Sequence, residues 1–193
     1  AKVHNNLGII YLDQGKNDEA ISAFQRAINI ESEDALYHSN LGRAYEAKEK
    51  YADAVSEFRR AIELDPRVAW LYSVLGSMYA GLHQFDDAIA ALQRAIELDP
   101  KEAGFYNTLG WYWIRKGDLS RGELEIQAAV ELDPRYYPAH LNLGLLSAYQ
   151  GKTKEARALS QRTLPTKAQK RQHAIHSGPS PKTPAKGPSL MRK

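Results

Sequence analysis

The 193-residue chain is 43% hydrophobic and 25% charged, carries a formal net charge of +3 and contains no cysteine. The apolar share is enough for a real core, and the missing cysteines exclude disulfides, thiolate metal sites and a cysteine nucleophile. A mean hydropathy of −0.53, with no apolar run near 18 residues, excludes a membrane-spanning helix. No secretory leader pattern stands at the start, so a soluble chain is expected, with a cytoplasmic location favoured. The chain begins at Ala1 rather than Met, and an upstream segment is expected to have preceded it.

Read from the start, the chain repeats itself every 34 residues. Glu-Leu-Asp-Pro stands at Glu63–Pro66, Glu97–Pro100 and Glu131–Pro134, and Leu-Gly recurs at Leu7, Leu41, Leu75, Leu109 and Leu143. Five copies result: 1–34, 35–68, 69–102, 103–136 and a degenerate 137–164. Positions are counted below from the first residue of each copy, so that Leu-Gly occupies positions 7 and 8. Position 11 holds Tyr11, Tyr45, Tyr79, Trp113 and Ser147; position 20 holds Ala20, Ala54, Ala88, Gly122 and Ala156. Position 24 holds Phe24, Phe58, Leu92, Ile126 and Ser160.

Within each copy the spacing predicts a first helix, a turn and a second helix. In the first helix Leu41, Tyr45 and Lys48 lie at i, i+4 and i+7, and Gly42 beside Leu41 admits a neighbouring helix at close range. Gly15, Gly117 and Gly151 mark the turn in copies one, four and five. The second helix, Tyr51 to Leu64 in copy two, lines up Ala54, Phe58 and Ala61 as one apolar stripe. Pro66 ends it, because proline donates nothing to the helix ladder and disfavours helix at the residue before it. One hairpin cannot bury such a stripe alone, so neighbours must stack and the array grows in one dimension.

This pattern resembles the tetratricopeptide repeat family, a 34-residue helix-turn-helix with Leu, Gly, Tyr, Ala, Phe, Ala and Pro at these positions. The resemblance implies an all-α, right-handed α-solenoid of about five repeats. Position 4, where the family often has Trp, holds His4, His38, Tyr72, Tyr106 and His140, and copy one has Ser32 in place of Pro. Gly122 replaces Ala and is expected to make room for Trp111 or Trp113. The substitutions Ser147, Ser160 and Thr163 suit a terminal repeat facing water. Copy one shows no such softening, and the array is expected to have continued upstream.

Catalytic signatures are missing: no phosphate-binding glycine loop, no His-Glu-x-x-His and no Gly-x-Ser-x-Gly. The histidines at position 4 read as structural rings. His173 and His176 alone are too few to hold a metal. The expectation is a non-enzyme with no cofactor.

The resemblance implies that the first helices line the concave face, so partner contacts are expected from them. The residues just before the recurrent Leu are Asn6, Asn40, Val74, Thr108 and Asn142. Asn here is similar to the ladder in the superhelical arrays of the O-linked N-acetylglucosamine transferase type, where a carboxamide brackets a peptide backbone. Val74 and Thr108 break that ladder where Trp70 and Trp111 fall on the same side, flanked by Arg43 and Arg115. Trp, Tyr and Arg dominate interface energetics. Candidate peptide-binding residues are therefore Asn6, Asn40, Arg43, Trp70, Thr108, Trp111, Arg115 and Asn142.

The tail, 165–193, is Pro-rich, with seven Lys or Arg and no acidic residue; 1–164 carries 19 basic and 23 acidic residues. A short capping helix followed by disorder is expected there. Lys167, Lys170, Arg171, Lys182 and Lys186 are candidate contacts for phosphates of nucleic acid or an anionic surface. Three readings follow: a scaffold binding a peptide or helix of a partner protein along the groove; a nucleic-acid or anionic-surface adaptor acting through the tail; and the substrate-recognition repeats of a larger enzyme such as a glycosyltransferase.

Overall fold

The computed structural model describes residues 1–152, and these form helices joined by short turns. In chain order they are α1 (Lys2–Asp13), α2 (Asn17–Ile30), α3 (Ala35–Glu46), α4 (Tyr51–Leu64), α5 (Ala69–Gly81), α6 (Phe85–Leu98), α7 (Ala103–Lys116), α8 (Leu119–Leu132) and α9 (Tyr137–Tyr149). Each helix packs on the one before and the one after it, and the first helices of adjacent copies also touch, α1 against α3 and α7 against α9. The result is an all-α solenoid. Its apolar core is a series of local clusters, one at each junction, rather than a single centre. The second helix of copy five (from 153) and the whole tail lie outside the described residues.

Position 24 is the centre of each hairpin. Phe24, Phe58, Leu92 and Ile126 are completely buried, and Ala20, Ala54 and Ala88 one turn before them are buried too. Burying each such side chain is worth about 1.5–3 kcal/mol. The glycine at position 8 makes that burial possible: a Cβ on Gly8 would lie 2.5 Å from Phe24, and one on Gly42 would lie 2.9 Å from Phe58. In copy four the approach tightens further. A Cβ on Gly110 would meet the Gly122 carbonyl at 2.6 Å, while a Cβ on Gly122 would strike Ile114 and the Gly110 carbonyl. Gly122 therefore makes room for Ile114 and the α7 backbone, not for Trp111 or Trp113 as the spacing had implied.

The joints repeat as strictly as the helices. Asp65, Asp99 and Asp133 end α4, α6 and α8 in an extended conformation. Each accepts a hydrogen bond from the backbone N–H two residues on, at 3.4, 3.2 and 2.8 Å. The carboxylate thus bridges the proline that cannot donate. Position 4 closes the same loop from the other side. The hydroxyls of Tyr72 and Tyr106 donate to the carbonyls of Pro66 and Pro100, and His38 and His140 use Nε2 on Ser32 and Pro134 in the same way. A ring with a polar tip is what this place requires, so His and Tyr interchange there.

The turn inside each hairpin needs a left-handed residue at position 15. Gly15, Gly117 and Gly151 supply φ of 72°, 98° and 76°, but copies two and three place Glu49 (φ 56°) and His83 (φ 60°) there. A side chain in that region costs on the order of 1 kcal/mol. Glu49→Gly should therefore raise thermal stability, by about 1 kcal/mol at the midpoint, in unfolding followed by circular dichroism. An unchanged or lower midpoint would show that the turn carries no such strain.

Candidate functional site

The face built by the first helices changes character along the array. At the α1–α3 end it carries a buried asparagine pair among exposed side chains. The Asn40 carboxamide is 4% exposed and donates through Nδ2 to Asn5 Oδ1 at 2.9 Å. Asn142 makes the same bond to Asn107 at 2.9 Å. Two of the three ladder asparagines thus link a first helix to the one before it, each spending a carboxamide hydrogen that a bound peptide would need. Asn6 is exposed. Arg43 is also exposed, and three residues along α3 stands Glu46, half-buried, whose carboxyl is pushed above its ordinary value by desolvation, only partly offset by Arg43.

Toward α9 the face opens. Trp70, at the start of α5, stands edge-on to Phe58 with ring centres 6.3 Å apart. It lines a cavity of about 500 Å³ with Ser73, Phe105, Thr108 and the loop carboxylates Asp99 and Glu102. The Thr108 hydroxyl donates back to the Gly104 carbonyl at 2.8 Å, so it presents chiefly its methyl group to a ligand. Tyr136 completes the wall, its phenol pushed up by burial and then by Glu102.

The second cavity, about 470 Å³, lies between α7 and α9 and is lined by Trp111, Ile114, Leu119, Asn142, Leu145, Leu146 and Tyr149. Trp111 is 37% exposed, Leu145 54% and Tyr149 80%. Thr108 of the first cavity and Trp111 of the second are three residues apart on α7, hence neighbours on its surface. Arg115, one turn further, lays its guanidinium 5.3 Å from the centre of the Phe85 ring. Arg115 itself lines neither cavity.

Of the residues expected in a groove, the structure brings Trp70 together with Thr108, and Trp111 with Asn142. Asn6, Asn40, Arg43 and Arg115 line neither cavity. Trp113 packs partly buried against the α6–α7 core, with Lys116 and Arg121 over its ring. The tail residues Lys167, Lys170, Arg171, Lys182 and Lys186 lie outside the described residues. Sequence reading missed Leu145 and Tyr149. Their signal was available: α9 is apolar on all sides, and a helix of that kind must either be buried all round or leave apolar surface in water. Among the described residues, no three His, Asp or Glu side chains gather as metal ligands.

The tetratricopeptide repeat model matches residues 5–69 and 74–136, and a second model of the same description matches 40–101. The chain belongs to the tetratricopeptide repeat family. Repeats of this family are generally non-catalytic, and the solenoid described above is a scaffold for protein interaction. No curated protein matches it in sequence. Among solved structures it is similar to MamA 41-end from Desulfovibrio magneticus RS-1, with a TM-score of 0.71 and 22% identity over 93% of this chain and 97% of that one. It is also similar to pilF of Pseudomonas aeruginosa, with a TM-score of 0.73 and 19% identity over 84% and 74%. A third is YrrB, described as a TPR protein with an unusual peptide-binding site, with a TM-score of 0.66 and 23% identity over 90% of each chain. At these identities the likeness is one of fold. Among the described residues no helix is long and apolar enough to cross a membrane.

Glu46 offers a test of how far this face is desolvated. An acid whose folded pKa is raised binds its proton more tightly folded than unfolded, so its contribution favours the fold at low pH and is lost as pH rises through the folded value. Glu46→Gln should therefore raise the melting temperature at pH 7, and the advantage should vanish as the pH falls below the ordinary value of 4.5. A pH-independent difference would assign the effect to something other than the buried charge.

Proposed function

We propose that this tetratricopeptide repeat protein holds a short segment of a partner protein, extended or helical, along the first-helix face, and that the α5–α7–α9 end supplies the grip. The observation that carries this reading is the pair of cavities on this face, one walled by Trp70 and one by Trp111, Leu145 and Tyr149. Apolar side chains left this exposed on a folded protein mark surfaces that are covered in use, and aromatic anchors are the residue types on which binding energy concentrates. A volume of about 470 Å³ admits one or two large apolar side chains. The carboxylates Asp99 and Glu102 beside Trp70 favour a neutral or basic residue at the adjoining place. YrrB, similar in fold, is described as having a peptide-binding site.

In this reading the asparagines are spacers. Asn40 is tied to Asn5 inside the array, so its role is to set the distance between first helices rather than to read a peptide backbone. The reading through the basic tail rests on residues outside the described ones and gains no support from the described surface.

Peptide display on the full chain tests the proposal. Selected peptides should be enriched in large apolar or aromatic residues and bind with micromolar affinity. Trp111→Ala and Tyr149→Ala should each weaken binding about tenfold or more, the equivalent of about 1.4 kcal/mol, with the melting curve unchanged. Asn40→Ala should do the reverse, lowering stability by about 1–3 kcal/mol because Asn5 is left unpaired. Peptides that bind the Trp111 and Tyr149 variants as well as the parent would sink the reading.

A further inference from the structure

We infer that the cavity walled by Trp70 takes an arginine side chain of the bound partner segment, an assignment that rests on the first-helix face being the binding surface. The cavity lies inside the array, at the junction of copies three and four, with α4 before it and α9 after it. The repeats explain why it stands there. Position 2 holds Lys2, Leu36, Trp70, Gly104 and Pro138, so only copy three places an indole at this point and only copy four a glycine. A Cβ on Gly104 would lie 3.0 Å from Glu102 Oε1 and 3.3 Å from the Tyr136 hydroxyl. The bare backbone thus keeps open the space that Trp70, Phe105 and Tyr136 wall. Trp70 is 43% exposed, so its ring is available to a ligand.

Aromatic walls alone would suit any apolar side chain; the carboxylates decide between them. Asp99 Oδ1 accepts from the Lys101 N–H at 3.2 Å, and Glu102 Oε1 accepts from the Gly104 N–H at 3.0 Å. Each acid is therefore held in place by one oxygen and keeps the other as an acceptor. Neither makes an ion pair among the described residues. Glu102 is close enough to Tyr136 to add to the upward push that burial gives the phenol, so its negative charge is felt at the cavity wall.

A guanidinium meets both demands. Its plane stacks on an indole face, and its N–H donors serve two carboxylates at once. An ammonium is attracted too but offers no flat surface, while an acidic side chain is repelled. Both carboxylates are exposed, so the attraction is modest and weakens with salt. One such contact supplies selectivity, and the bulk of the affinity comes from the apolar anchors elsewhere on the face.

Acetyl-arginine amide, titrated into the full chain at low salt and followed through the indole N–H signals in NMR, tests this. The Trp70 signal should shift with half-saturation on the order of 10 mM, and those of Trp111 and Trp113 should stay in place. Acetyl-citrulline amide, the neutral isostere, should bind about fivefold more weakly. Asp99→Asn with Glu102→Gln keeps the oxygens that accept the backbone bonds and should weaken arginine by about the same factor. Citrulline that matches arginine, or a Trp70 shift indifferent to the double substitution, overturns the assignment. If that happens while displayed peptides still depend on Trp111 and Tyr149, the groove reading stands without it. Arginine binding at Trp70 with no peptide dependent on Trp111 or Tyr149 sinks the groove reading alone. The chain's own basic tail is the competing occupant. Changing its seven Lys and Arg to Gln in the full chain should leave arginine binding unchanged, and a gain of about fivefold or more would seat the tail in the cavity and overturn a partner as its occupant.

Discussion

Everything in this molecule hangs on the contact between position 8 and position 24 of each hairpin. A large apolar side chain at position 24 is driven out of water, and only a glycine opposite it lets the two helices come close enough to surround it. Once they have done so, the outer half of that side chain still needs a cover, which the first helix of the next copy provides with positions 3, 7 and 10. The fold is thus a chain of mutual debts between neighbours. Stability is distributed along the array, and each junction can be altered without remodelling the others.

The interaction surface follows from what that scheme leaves unused. Positions on the first helices that face neither their own second helix nor the preceding copy are free to vary, and they change steadily along the chain. Near α1 and α3 they are polar and tied together by the Asn5–Asn40 bond. At α7 and α9 they are Trp111, Leu145 and Tyr149, beside the matching Asn107–Asn142 bond and with open volume between them. A rigid frame with one apolar, aromatic end suits a binder that anchors one part of a partner and lets the rest lie across a more permissive surface.

Much of this was legible before any coordinates. The five-fold recurrence of Leu-Gly at a spacing of 34 carries the hairpin, the stacking and the position of the turns, because each of those depends on residue type at one position in a local structure. Position 4 was legible as a structural ring, though the partner of that ring, a carbonyl six residues earlier, was not. Gly122 was read against the wrong neighbour. Its spacing showed that room was needed, but whether Ile114 or a tryptophan filled the room depended on the roll of α7 about its axis. The asparagines illustrate the same limit. Their periodicity was plain, yet a carboxamide pointing into the groove and one pointing across to the previous helix differ by a small rotation that no single-chain pattern encodes.

The sequence alone thus determined the architecture: repeat length, helix boundaries, the buried stripe and the aromatic types available for binding. Short-range physics dictates these, through helix period, proline stops, left-handed turns and the need to bury apolar surface. Only the tertiary structure decided which of the exposed groups meet. It paired Trp70 with Thr108 and Trp111 with Leu145 and Tyr149, and withdrew Asn40 into a bond with Asn5. Those outcomes depend on the angle at which consecutive hairpins stack, a sum of many small packing choices spread over residues far apart in the chain.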